Sequence, residues 1–287
     1  MIRKALAWCL LLAVSGIVVI ATYRLIVQQR HIASLSLKMA QIVPVVNQIE
    51  VSCAGIAAAR PLVLLALGQS NAGNHGSLPP ITITEPVTLF AEGKCIKTTD
   101  PLPGGTGTGG SIWGRLPDLL SKQKDDRQIV LSVLAVDATS IEDWTSPESQ
   151  LRERLSLHVA SMIHLGLAPN FVLWQQGEAD SRIGTSTEVY SIGLNRLATT
   201  LNKAGANAPI ILARSTVCRS PPNTTIRSII ETTVSYGHGF HLGPDTDILS
   251  SDMRKDGCHL TAEGLDSAAK MWAKIINKEI SMIYFPQ

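Results

Sequence analysis

Two stretches of this chain hold the residue types best suited to bond-making chemistry. Leu67-Gly68-Gln69-Ser70-Asn71 ends an apolar run, and Asp256-Gly257-Cys258-His259 lies almost two hundred residues later. Serine is a poor nucleophile until a base removes its proton, and the base works best when a carboxylate fixes its tautomer. An Asp three residues before a His shares one side of a turn with it. The carboxylate then reaches the near ring nitrogen and leaves the far one to face the serine. This pattern predicts acyl transfer with Ser70 as nucleophile, His259 as general base and acid, and Asp256 as its orienting group. The plainer reading of Gly-x-Ser-Asn is a tight turn, which all three residue types favour.

Such groups need rigid elements to hold them. Residues 61–67, 129–136, 171–174 and 209–213 are apolar runs of the kind expected of strands buried on both faces. Helices are predicted over 111–121, from Ser146-Pro147 to the stop at Gly166, over 187–203 before Gly205, and from a Thr261 cap to about 278. In the last of these, Leu265, Ala268, Met271, Trp272 and Ile275 recur at helical spacing. Strand-helix alternation predicts an α/β fold with three α/β/α layers around a central parallel sheet. Sites in such sheets lie at the C-terminal ends of strands. Residues 68–70, 137–140 and 175–180 all fall there.

Over 287 residues, 25 basic side chains face 23 acidic ones, which gives no electrostatic case for a nucleic-acid partner. Residues 5–22 carry no charge and lie between Arg3-Lys4 and Arg24. That length predicts a transmembrane signal anchor, with a cleaved signal peptide or a core helix as alternatives. Positive charge on both flanks leaves its orientation open. The expected organisation is an anchor over 1–28, a stem over 29–59 and a catalytic domain over 60–287. Within the stem, 32–43 has helical character that Pro44 interrupts. The glycine-rich run 104–110 lacks the Gly-Lys-Ser/Thr ending of a phosphate loop. It is expected to be a flexible surface loop, or a cleft lining that admits a sugar. His238-x-x-His241 has no further ligand set at a metal-site spacing.

Gly68-Gln69-Ser70-Asn71, Trp174-Gln175-Gln176-Gly177-Glu178-Ala179-Asp180 and Asp256-Gly257-Cys258-His259 resemble three sequence blocks of the SGNH hydrolase superfamily. Within it they resemble the sialate O-acetylesterase-like carbohydrate esterases, from about Pro61 to about Lys278. The resemblance implies a flavodoxin-like SGNH fold, an O-acetylated carbohydrate substrate, no metal and no organic cofactor. It also implies an oxyanion hole built from Ser70, Ala138 and the Gln176 side chain, with Gln69, Asn71, Gly177 and Glu178 in support. Glu178 and Asp180 are too close in sequence to flank a glycosidic bond, so Glu178 is expected to bond backbone groups of the Gln176 loop. Trp144 and Trp174 are expected in the core.

The second block departs from the family's Gly-Gly-Thr-Ser. Val136-Asp137-Ala138-Thr139-Ser140 places Asp137 and Ala138 where two glycines are usual. A backbone N–H survives, but residues with a Cβ rarely accept positive φ, and Asp137 adds negative charge. The alternatives are an O-acetyltransferase with the same triad, or a glycan-binding pseudoenzyme. Cys53, Cys95, Cys218 and Cys258 allow three pairings. Cys53 with Cys95 and Cys218 with Cys258 would each join segments close together in the proposed fold; four free buried thiols are the alternative. Two disulfides beyond an anchor would place the domain in a periplasmic or extracellular compartment.

Overall fold

The computed structural model describes residues 2–77, 86–120 and 127–284, with the side chains of 2–15, 17 and 283–284 outside the described set. The strands are β1 (Ile49–Val51), β2 (Leu62–Gly68), β3 (Val87–Ala91), β4 (Lys94–Thr98), β5 (Ile129–Ala135), β6 (Phe171–Gln175), β7 (Ile210–Arg214) and β8 (Phe240–Asp245). They form one sheet in the order β1-β4-β3-β5-β2-β6-β7-β8. From β3 to β8 all neighbours run parallel, while β4 and β1 add an antiparallel edge. The expected parallel sheet is thus present and carries a hairpin extension.

β2 shows why the centre of the sheet is fixed. Side chains alternate across a strand. Val63, Leu65 and Leu67 enter one core, while Leu62, Leu64 and Ala66 enter the other. Each fully buried leucine contributes roughly 1.5–3 kcal/mol, and truncating one to alanine costs about 2–5 kcal/mol. Only a strand apolar on both faces suits this position, and its C-terminal end is therefore a rigid platform for Ser70.

The helices are α1 (Ile2–Met39), α2 (Cys53–Ala58), α3 (Leu116–Leu120), α4 (Ile141–Thr145), α5 (Gln150–His164), α6 (Glu178–Ile183), α7 (Thr187–Lys203), α8 (Thr224–Ser235) and α9 (Ala262–Tyr284). α5 begins later than expected because Ser149, not Ser146, caps it, accepting from the N–H groups of Leu151 and Arg152. The expected helix over 111–121 is split into a 3-10 turn, Trp113–Arg115, and α3; residue 121 lies outside the described residues. Thr261 caps α9 through its Oγ1 to the Gly264 N–H at 3.1 Å, and Leu265, Ala268 and Trp272 are buried beneath it.

Two expectations for the N-terminal third need correction. Among the described residues no helix is long and apolar enough to cross a membrane. The membrane-spanning segment expected over 5–22 is therefore unsupported, and the side chains of 5–15 and 17 lie outside the described set. The stem is also not separate from the domain. β1 pairs with β4, Leu35, Ile42 and Ile56 join the core, and Val43 exchanges backbone hydrogen bonds with Gly104 and Gly105. Disulfides join Cys53 to Cys95 and Cys218 to Cys258, the first stapling this edge to the sheet.

Candidate active site

β2 and β6 stay paired to their C-terminal ends, Gly68 opposite Gln175, and Gly68 permits the close approach. Its φ is +146°, and a Cβ there would stand 2.0 Å from the Gln175 carbonyl oxygen, so no other residue fits. The chain then turns through a 3-10 turn, Ser70–Ala72, with Gln69, Ser70 and Asn71 nearly buried. Gln69 Oε1 accepts from the Ala179 N–H at 2.9 Å. Asn71 Nδ2 donates to Glu178 Oε1 at 2.7 Å and to the Cys258 carbonyl at 3.3 Å. One asparagine thus joins the serine turn to both other blocks.

Asp256 and His259 meet as their spacing predicts. Asp256 Oδ2 lies 2.8 Å from His259 Nδ1, while Oδ1 accepts the His259 N–H at 2.7 Å and the Cys258 N–H at 3.0 Å. Burial opposes ionisation of this carboxyl. The His259 N–H, the His259 ring and the Cys258 N–H outweigh it and hold its pKa at about 2. Asp256 is therefore anionic at any ordinary pH, as an orienting group must be. Arg254 holds the loop from below, donating to the carbonyls of Cys258 at 2.9 Å and Thr246 at 2.7 Å. The Cys218–Cys258 disulfide ties it to the segment after β7.

The third block overturns one expected role. Gln176 has no exposed surface and does not line the cleft. Its Nε2 donates to the Thr139 carbonyl at 3.0 Å and to Asp180 Oδ2, and its Oε1 accepts from Tyr190 Oη at 3.1 Å. Gln176 is a fastener between the second and third blocks and not an oxyanion donor, because its amide hydrogens are already engaged. Gly177 has φ +149°, and a Cβ there would press to 2.6 Å on the Ser215 carbonyl.

Glu178 is buried, and its stronger partners are side chains, with its own backbone N–H a lesser one. Asn71 Nδ2 and Ser215 Oγ both reach Oε1 at 2.7 Å, while Oε2 is buried without a hydrogen-bond partner. Desolvation, only partly offset by those bonds, raises its pKa to about 7. Asp180 is also pushed upward by burial and binds Thr185 Oγ1 and the Ile141 N–H. Neither carboxylate is placed for glycoside cleavage. Trp144 and Trp174 sit in the core, edge to face at 5.4 Å.

The second block keeps the glycine-like conformation without the glycine. Ala138 has φ +50°, a left-handed conformation that costs an L-residue roughly 1–2 kcal/mol. Lys38 Nζ from α1 donates to the Ala138 carbonyl at 2.8 Å. His31, two turns earlier on the same face of α1, lies 2.7 Å from Asp143, and Asp143 closes the capping box of α4 with Ser140. On the other side the Asp137 N–H donates to Thr106 Oγ1 at 2.9 Å. Thr106 belongs to the glycine-rich run. That run is no flexible surface loop: Gly105, Thr106 and Gly110 are buried, and it is bonded to residues 74–76 after the serine turn.

Gln69, Ser70, Asp137, Ala138, Glu178, Ala179, Cys258 and His259 line one cleft of about 480 Å³, with Arg182 and Arg219 at its rim. No hydrogen bond joins Ser70 Oγ to His259 among the described residues; such bonds commonly tighten only around a substrate. Sequence reasoning missed His75, whose ring stacks on His259 with centroids 5.3 Å apart. It also missed Arg254 and Lys38. His75 lies five residues after Ser70, just beyond its turn, which was the available signal; nothing local marks the other two. His241 pairs with Glu279, and among the described residues the His/Cys/Asp/Glu group suited to a metal is His75, Asp137 and His259.

Residues 115–278 match the family described as carbohydrate esterase, sialic acid-specific acetylesterase. The fold is similar to that of a solved protein from Arabidopsis thaliana, with TM-score 0.61 and 19% identity over 76% of this chain and 98% of that one. It is also similar to the crystal structure of NanS, with TM-score 0.54 and 13% identity over 76% and 96%. No curated protein matches the chain. The family match covers more than half of the residues and includes the second and third blocks and the Asp256–His259 block, so the chain belongs to the sialic acid-specific acetylesterase family of SGNH-type carbohydrate esterases and is a carboxylic ester hydrolase that deacetylates carbohydrates.

Proposed function

We propose that the protein removes O-acetyl groups through an acyl-serine intermediate at Ser70, with a sialate-type acidic sugar as substrate. The observation that carries the mechanism is the Asp256–His259 pair, joined at 2.8 Å, with His259 lining the same cleft as Ser70. Ser70 Oγ attacks the acetyl carbonyl as His259 takes its proton through the nitrogen that Asp256 leaves free. The proton then passes to the departing sugar oxygen, which leaves as a hydroxyl. Water repeats the sequence on the acyl-serine, releasing acetate and restoring Ser70.

The oxyanion is received by the backbone N–H groups of Ser70 and Ala138. The first N–H of a 3-10 turn has no acceptor inside the turn and is open to a ligand. We assign the third donor to the Gln69 side chain in place of Gln176. Its carbonyl oxygen, not its NH2 group, accepts from Ala179, and the residue lines the cleft. Arg182 and Arg219 at the rim are exposed cations, and they support an anionic sugar over a neutral one. We further propose that the uncharged segment 5–22 anchors the domain outside the cytosol, a reading supported by its length and by the two disulfides.

Acetate release from O-acetylated sialate, from O-acetylated neutral sugars and from an aryl acetate, by the wild type and by Ser70→Ala, tests this reading. Release that Ser70→Ala abolishes, with sialate preferred, is the expected result. Equal release by the folded variant would remove the serine mechanism, and transfer of acetyl to an added sugar in place of free acetate would favour the transferase.

A further inference from the structure

Asp137 replaces a glycine of the family pattern, and His75 takes part in no step of the mechanism. The two side chains converge on His259. His75, Asp137 and His259 each offer a ligand atom, all within 4.8 Å of one another, and all three are partly exposed. One hydroxyl organises the pair: Thr106 Oγ1 lies 3.1 Å from His75 Nε2 and accepts the Asp137 N–H at 2.9 Å. The His75 ring stacks on His259 with 25° between the planes.

Donors around a tetrahedral zinc ion lie about 3.3 Å apart, given bonds of about 2.0–2.1 Å. The three groups must close by up to about 1.5 Å to reach that spacing, within reach of side-chain rotation at a solvent-facing site. Two imidazoles and one carboxylate are a borderline donor set that suits zinc and neighbouring transition metals, whereas magnesium and calcium prefer oxygen alone. His259 is already oriented for this. Asp256 on its Nδ1 forms the carboxylate–histidine arrangement that supports metal-binding imidazoles and leaves the far nitrogen to the ion.

We propose that His75, Asp137 and His259 form a reversible transition-metal site at the mouth of the cleft, and that a bound zinc ion silences the esterase by occupying the nitrogen His259 needs for proton transfer. The silencing rests on the reading of His259 as general base; the binding does not. The departure at Asp137 thereby acquires a use: it supplies the anionic ligand that the usual glycine lacks.

The test titrates the full chain, free of any affinity tag, with zinc by calorimetry while following aryl acetate cleavage. The expected result is one zinc ion per chain, half-inhibition at the concentration of half-saturation, recovery with a chelator, and no effect of magnesium. His75→Gln and, separately, Asp137→Gly should each raise the half-saturating zinc concentration at least about ten-fold, with inhibition scored against each variant's own metal-free rate. Ser70→Ala should bind zinc as the wild type does, so a failed serine mechanism leaves the binding result intact. Absence of saturable binding, or wild-type affinity in both ligand variants, would overturn the site. Saturation that leaves turnover untouched would overturn the block at His259.

Discussion

The two halves of the proposed triad are held by different means. The Ser70 turn is nearly buried and sits where Gly68 and Gly177 allow backbones to approach too closely for any Cβ. Its bonds run through buried amides and carboxylates, from Gln69 to Ala179 and from Asn71 to Glu178. The His259 loop is partly exposed and is pinned from outside by Asp256, Arg254 and a disulfide. The serine side is therefore shielded from solvent, and burial raises the pKa of its two carboxyls, Glu178 and Asp180. The histidine side is adjustable, and perturbations of chemistry should act there while perturbations of the serine turn act on folding.

The sharpest separation is Asp256→Asn. It keeps the size of the group but removes the acceptor that fixes the His259 tautomer, so turnover should fall about 10³–10⁴-fold with little change in thermal stability. A large loss of stability with only modest loss of rate would erase the distinction.

The two disulfides give an internal control. They close loops of nearly equal length, 40 and 42 residues apart, so each should contribute about 4 kcal/mol by constraining the unfolded chain. Paired serine replacements at Cys218 and Cys258 and at Cys53 and Cys95 should therefore lower denaturant midpoints alike. Only the first pair should also reduce turnover in the protein that remains folded. Equal effects on rate would mean that the histidine loop does not depend on its covalent tie.

Glu178 sharpens the comparison from the serine side. Its folded pKa, about 7, lies above the ordinary glutamate value of 4.5. As pH rises from about 4.5 to 7 the unfolded chain releases this proton and the folded chain keeps it. Stability from this group is therefore present below about 4.5, lost through that window and flat above it, a span on the order of 3 kcal/mol. Thermal denaturation of Glu178→Gln between pH 4.5 and 8 should lack this slope. A slope identical to that of the wild type would remove Glu178 as its source.

The smallest effect concerns α1. Lys38→Met frees the Ala138 carbonyl and should lower turnover about five-fold, equivalent to about 1 kcal/mol. In an Ala138→Gly background the same change should matter less, because glycine holds the left-handed conformation without help. Rates in the four proteins of this double-mutant cycle measure the coupling, and additive losses would sever the stem from the site.

What was legible in the sequence was whatever depends on local spacing or burial. Leu62–Gly68 announces a doubly buried strand because every residue is apolar, and Asp256 and His259 announce their pairing because three residues span one turn. β8 was not legible, since Phe240–Asp245 contains Gly243, Pro244 and Asp245 and shows neither alternation nor a full apolar run. Gln176 was misassigned because its sequence block names the residue but not the direction in which its amide points as the chain leaves β6. Lys38 and Arg254 were out of reach for a simpler reason. Lys38 meets the Ala138 carbonyl 100 residues away, and Arg254 meets a loop shaped by β7 and β8.

The most direct test of the central claim is covalent. Incubating the wild type with an alkyl phosphonate ester and mapping the labelled peptide by mass spectrometry asks which atom attacks. A single adduct on Ser70, formed with loss of esterase activity and greatly slowed in His259→Ala, is the result predicted. Full loss of activity with the adduct elsewhere, or turnover that persists with Ser70 fully labelled, would contradict it.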